Sequence, residues 1–316
     1  MCICKLRKEI KVYQVKGTQG LLIVTFLNQK DKNKVNNTIG FIAVVDSREL
    51  GIMRLIKRIL LNSFKSKTIF RFDYLVGTIF SFAYIVLRIF IWKGLYATDV
   101  PNVYSVVLQD MIVYSIVSSF TEGITGSRVM NEINDSVLNG AVVGDLLLPI
   151  NYIKYLFINS LSKGIFNTVY SVLPSVLVAM LLFGMRTPFT LANVVIYIGS
   201  VVLGIGINFF YNFSFGLTCV WFRNAFFLDN VNSVFTKLFS GSFVPIWFFP
   251  GWLGTLSLFM PFRYVIYEPV TILLGMKTAG EIGKVLARQM GWLGILVSLS
   301  FLLWRMAQKR LMIHGG

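Results

Sequence analysis

The chain has 316 residues, of which 55% are hydrophobic and 15% aromatic, with 30 Lys and Arg against 14 Asp and Glu. So much apolar surface, at a mean hydropathy of +0.70, exceeds what one soluble core can bury and requires lipid. The basic residues sit in short clusters beside apolar runs, as at Lys57, Arg58, Lys65, Lys67 and Arg71; this fits cationic cytoplasmic loops and argues against nucleic acid as a partner.

Residues 1–50 differ in texture from the rest, with short apolar bursts separated by polar stretches such as NQKDKNKVNN. Neither burst approaches the roughly 20 apolar residues needed to cross a bilayer, and the layout is not that of a signal peptide. The segment reads either as a weakly ordered cytoplasmic extension or as sequence ahead of a natural start at Met53. From Gly51 to Arg71, Ile52, Leu55, Ile56, Ile59, Leu60 and Phe64 recur at helical spacing between basic residues. That spacing predicts an amphipathic helix lying in the cytoplasmic interface, the plainer alternative being a basic juxtamembrane stretch.

Six spans are expected next: Tyr74 to Trp92, Val103 to Gly123, Leu161 to Phe183, Leu191 to Val220, Val231 to Phe249 and Val285 to Met306. The fold class is therefore an all-α membrane protein, with residues 51–316 forming one six-span transmembrane domain. An even count places both termini on one side. Lys and Arg near the N-terminal flank, between Arg128 and Lys154, at Arg223 and in the tail put those segments in the cytoplasm. Lys93, Arg186, Arg263, Lys277, Lys284 and Arg288 count on the opposite side.

Two connections exceed a tight turn. The cytoplasmic one, from Ile124 to Lys154, carries Glu132, Asp135 and Asp145 beside the apolar Val129, Ile133, Val137 and Leu138, which suggests a helix able to dock on a partner. Gly140 and Gly144 interrupt it, so two shorter pieces are expected to meet there, and Pro149 ends it. The outer connection, from Pro250 to Lys284, is apolar but broken by Pro250, Gly254, Pro261, Pro269 and Gly275. Its pieces are too short to span, so they read as re-entrant or interfacial helices before the last span.

These two connections carry a resemblance. Glu132 and Ile133, then Gly140, then LLLP at Leu146 to Pro149, resemble the loop after the second span of type-2 ABC exporter permeases. SGSFVPI at Ser240 to Ile246, FPGW at Phe249 to Trp252, then PFRY and YEPV running into LLG, resemble the stretch before the last span of the same family. The resemblance covers residues 51–316 and implies a permease subunit that forms half of a translocation pathway in the bacterial cytoplasmic (inner) membrane. It further implies a second permease subunit, identical or homologous, and separate ABC ATPase subunits that hold ATP and Mg; this chain would bind no cofactor. Glu132, Ile133, Asp135, Gly140, Leu148 and Pro149 would belong to a coupling helix seated on the ATPase. The alternative is a surface helix without a partner.

Other polar residues in or near the spans are candidates for a pathway or gate. Asp110 either faces the pathway, contacting a cationic group, or pairs with Arg88 of the first span. Asn208 and Asn212 share a face of the fourth span and suit interhelical hydrogen bonding or substrate contact. Glu268 either gates the outer exit or caps the helix that follows Pro269.

The sequence has no G-x-x-x-x-G-K-[ST], G-x-S-x-G or H-E-x-x-H, and its three cysteines and single His314 form no metal-ligand pattern. No catalytic residue and no metal site are expected. A secondary transporter or an intramembrane enzyme on lipid-linked substrates are the competing readings; internal repeats with broken helices would favour the first, clustered acids or histidines at a membrane face the second.

Overall fold

A computed structural model of the chain describes residues 10–13, 23–26, 71–97, 106–146, 150–184, 189–221 and 226–314. The chain divides into two units, Met1–Ile59 and Leu60–Gly316. In the first, strands β1 (Ile10–Tyr13) and β2 (Ile23–Phe26) pair antiparallel, with Val12 opposite Val24. The expected amphipathic helix up to residue 70, Met53, Leu148 and Pro149 lie outside the described residues.

Every described element of the second unit is helical. In chain order these are α1 (Arg71–Ala97), α2 (Leu108–Thr125), α3 (Val129–Leu138), α4 (Val142–Leu146), α5 (Tyr152–Asn167), α6 (Leu173–Phe183), α7 (Leu191–Leu217), α8 (Phe226–Phe239), α9 (Gly251–Leu258), α10 (Tyr267–Leu273) and α11 (Ala279–His314). Helices α5 and α6 are joined by a π-helical turn, Thr168–Val172. It faces α1, whose Thr78 hydroxyl donates to the Tyr170 carbonyl at 3.1 Å.

Four stretches are long and apolar enough to cross a membrane: Leu75–Ala97, Tyr152–Phe183, Leu191–Val220 and Ala279–Arg310. The third expected span thus begins nine residues before Leu161. Asn151 sets that start, because its Oδ1 accepts from the Ile153 and Lys154 amides at 3.0 and 3.4 Å and satisfies two otherwise orphaned donors. The stretch from Val231 to Phe249 is not one helix. Helix α8 stops at Phe239, Ser240 and Gly241 turn the chain, and only the short 3₁₀ turn Ile246–Phe248 follows. Fourteen residues reach about 21 Å, short of a hydrocarbon core of about 30 Å.

Helix α2 carries many polar residues for an element that lies at the centre. All residues from Met111 to Ser119 are buried. Its Val113, Tyr114 and Val117 join a core with α7, α10 and the turns between α8 and α10, while Ile112 and Ile116 pack with Ile85, Ile89 and Val176 of α1 and α6. A further core gathers α3, α5, α7 and α11, where Tyr152 stacks on Trp304 with ring centroids 4.8 Å apart.

Candidate functional site

The segment between α2 and α5 folds as two helical pieces, α3 and α4. Gly140 adopts φ +69° at their joint, a conformation that favours glycine. The two pieces are tied by the Ser136 hydroxyl, which donates to Asp145 Oδ2 at 3.4 Å. Partial burial pushes the Asp145 carboxyl above its ordinary range, and the Ser136 bond opposes that rise.

Helix α3 is braced on three sides. Towards α7, Val129, Met130 and Ile133 are buried, Ile133 to 1% exposure, and a Cβ added at Gly216 would stand 3.0 Å from both Met130 Cα and Ile133 Cδ1. Towards α5, Glu132 accepts from Asn159 Nδ2 at 2.9 Å and pairs with Lys163 Nζ at 2.6 Å. Towards α8, Asn131 with its amide turned to donate reaches the Asp229 carboxylate at 3.1 and 3.2 Å, and Asn232 Nδ2 approaches Met130 Sδ at 3.7 Å. Glu132 and Ile133 therefore point into the bundle. The outward face of this segment presents Asp135, Asn139 and Gly140, with Leu138 at 60% and Leu146 at 40% exposure.

Asn208 and Asn212 extend this bracing. Asn208 Nδ2 donates to the Thr125 carbonyl at the end of α2 at 2.7 Å, and Asn212 Nδ2 donates to Asn208 Oδ1 at 2.9 Å. Asn232 donates in turn to Asn212 Oδ1 at 3.2 Å and accepts from the Tyr211 hydroxyl at 2.6 Å. Together these bonds link α2, α7 and α8.

On the far side of the bundle, Glu268 is buried in the first turn of α10. Its carboxylate accepts from Arg263 Nε at 2.5 Å and pairs with Lys277 Nζ at 2.8 Å. Glu268 is thus the centre of an ion cluster within the first turn of α10. Gln289 of α11 fastens the same region, donating to the carbonyls of Tyr264 and Ser200 at 2.8 and 3.2 Å.

Asp110 opens α2 and is partly exposed in its first turn. The expected pairing with Arg88 is replaced by another: Arg88 donates to Ser118 Oγ at 2.7 Å and Ser119 Oγ at 2.9 Å. Those serines lie eight and nine residues further along α2, about 12 Å beyond Asp110 at the helical rise.

Residues 75–315 match the family described as ABC-2 family transporter protein, well over half of the chain. The chain belongs to the ABC-2 transporter family. It is a multi-pass membrane protein and a permease of the ABC type. Comparison with curated proteins finds no significant match.

Seen on this ABC-2 permease, several residues that position the site are absent from the sequence-level candidates. Asn159 and Lys163 hold Glu132, Asn232 joins three helices, and Gly216 admits α3. A signal existed for two of these, since Asn159 and Lys163 are spaced i, i+4 at one end of an apolar run and share a face. Glu122 was open to the rule that singles out Asp110, being an acid inside an expected span. Asn232 and Gly216 carry no such mark, because their roles depend on which helices meet.

Proposed function

We propose that this ABC-2 permease is the membrane half of an ATP-driven exporter and is moved by separate ATPase subunits that hold the ATP and Mg. The observation that carries this reading is the asymmetry of α3. One face is held against α5 and α7 through Glu132 and Ile133, while Asp135 and Leu138 of α3 and Leu146 of α4 are exposed. An exposed leucine between acidic residues suits a groove on a partner, and rigid bracing lets a push on that face tilt the attached helices. The sequence carries no G-x-x-x-x-G-K-[ST], which supports assigning ATP hydrolysis to a separate chain.

In this reading the six spans are α1, α2, α5 with α6, α7, α8 extended by the turns up to Phe249, and α11. Both termini are then cytoplasmic, in a bacterial inner membrane, and α9 and α10 are re-entrant on the outer side. The pathway forms with a second permease subunit, identical or homologous. Asn208 and Asn212 serve as interhelical ties, Glu268 holds the outer segment in place, and Asp110 at the outer end of α2 is a pathway contact.

The test is co-purification with a tagged partner ATPase. Leu138→Arg should release the ATPase at least ten-fold while leaving the permease in the membrane. Full retention in both Leu138→Arg and Asp135→Arg would sink the docking face. Export that continued unchanged after loss of the ATPase's phosphate-binding lysine would sink the ATP-driven reading as a whole.

A further inference from the structure

Between the C-terminal half of α1 and the turns after α8 lies a cavity of about 270 Å³. Ile91, Trp92 and Leu95 of α1 form one side, Phe243 and Phe248 the other, and Arg88 is the charged residue in the wall. Arg88 is 1% exposed. Its two terminal nitrogens rest on the Ser118 and Ser119 hydroxyls, which spend their own protons on the Ser115 carbonyl at 3.2 and 2.8 Å. The serines are thereby set as acceptors, and these neutral oxygens, with no direct ion pair, are the partners of the cation.

No carboxylate among the described residues comes within ion-pair reach of Arg88. The ion pairs described there use Lys163, Arg263 and Lys277, and Glu122, three residues beyond Ser119, makes none with Arg88. The Arg88 Nε hydrogen is buried without an acceptor, and the Tyr84 ring lies 5.5 Å from the guanidinium carbon. An arginine kept inside an apolar bundle with a donor to spare is costly and marks a functional position.

The mouth of the cavity indicates where its occupant comes from. Ile91, Leu95 and Phe243 line it and are also exposed, so the mouth is apolar and suits an acyl chain better than water. Its volume lies just below the range of about 300–1,000 Å³ usual for small-molecule sites. A headgroup and the first part of a chain fit within it, and a longer tail extends into lipid.

We propose that this cavity binds an amphipathic anion, one carboxylate or phosphate group bearing an apolar tail, with the anion on Arg88 and the tail along Ile91, Leu95 and Phe243. Aromatic walls alone would suit cations as well, but the unpaired guanidinium excludes them by repulsion. As the cargo class of the proposed exporter this inference rests on that reading; the binding itself needs no ATPase, so the two can fail separately.

The experiment is photolabelling of the full-length permease in phosphatidylcholine nanodiscs with an alkyl phosphate carrying a diazirine in its chain, read by peptide mass spectrometry. The peptide containing Ile91 to Leu95 should be labelled, and dodecyl phosphate should compete. Dodecyltrimethylammonium and inorganic phosphate at the same concentration should not. Arg88→Gln should reduce labelling at least ten-fold, and Ile91→Trp, which fills the mouth with Arg88 intact, should do the same. Unchanged labelling in Ile91→Trp, or in a monodisperse Arg88→Gln, would overturn the proposal, as would equal competition by the cationic amphiphile. Competition by inorganic phosphate as strong as by dodecyl phosphate would overturn the amphiphile in favour of a free anion. If Arg88→Gln does not purify in folded form, Ile91→Trp decides alone.

Discussion

Asp145 has a carboxyl whose pKa burial raises in the folded chain, so folding favours its protonated form. That contribution to stability is present at pH below the unfolded value and is lost as pH rises through the folded one. Asp145→Asn, which fixes a neutral group there, is expected to raise the melting temperature near neutral pH and to leave it unchanged well below the ordinary aspartate pKa of about 3.9. Thermal unfolding at both pH values in one detergent measures this; equal shifts at the two would refute it. Gly216 poses the opposite case. A methyl group at this position meets the Met130 backbone at 3.0 Å, and backbone yields less readily than a side-chain tip. Gly216→Ala should lower stability by about 1–3 kcal/mol, the usual cost of overpacking, and weaken substrate stimulation of the ATPase more than ATPase binding. Stimulation at the unaltered level would show that α3 does not need this close approach. Arg88 marks how far side-chain partners are legible in sequence. Hydropathy gives depth along a helix but not rotation about its axis, so an acid on a neighbouring span was the natural partner, while the serines that hold Arg88 read as ordinary polar residues of α2.

At the scale of elements, breakers proved easier to read than helix ends. The segment between α2 and α5 does part at Gly140, whereas Gly144 sits inside α4, and the short α9 and α10 follow from the prolines and glycines around them. The end of α8 did not follow from pattern, because SGSFVPIWFF stays apolar after the helix has stopped at Phe239. An apolar run fixes that a stretch is buried or in lipid, not that it is helical. The ion cluster of α10 is equally invisible from sequence, since it needs Arg263 and Lys277 brought to one carboxylate from either side. Removing that carboxylate strands two cations in a buried site. Glu268→Gln should therefore destabilise by about 3 kcal/mol or more, and the triple change Arg263→Met, Glu268→Leu, Lys277→Met should recover most of that loss. Thermal unfolding in detergent separates the outcomes, and a Glu268→Gln protein as stable as the parent would remove the cluster's structural role.

The whole molecule was legible in outline because lipid imposes a coarse code, in which length and apolarity alone pick out four long helices. What that code misses is α2. Among its residues are Gln109, Asp110, Ser115, Ser118, Ser119, Thr121, Glu122 and Thr125, and its hydroxyls find partners within α2 itself, on α1 through Arg88, and on α7, where Tyr197 meets Thr121 at 2.8 Å. A segment of this kind gains little by entering lipid alone, since each polar group carries an insertion penalty. Biogenesis then has an order: α1 is synthesised before α2, is apolar enough to settle in the bilayer unaided, and offers the guanidinium that receives the serines. The element at the centre of the finished bundle would be a guest of its neighbours during insertion, and the cell's insertion machinery would have to hold α2 until α1 was in place beside it.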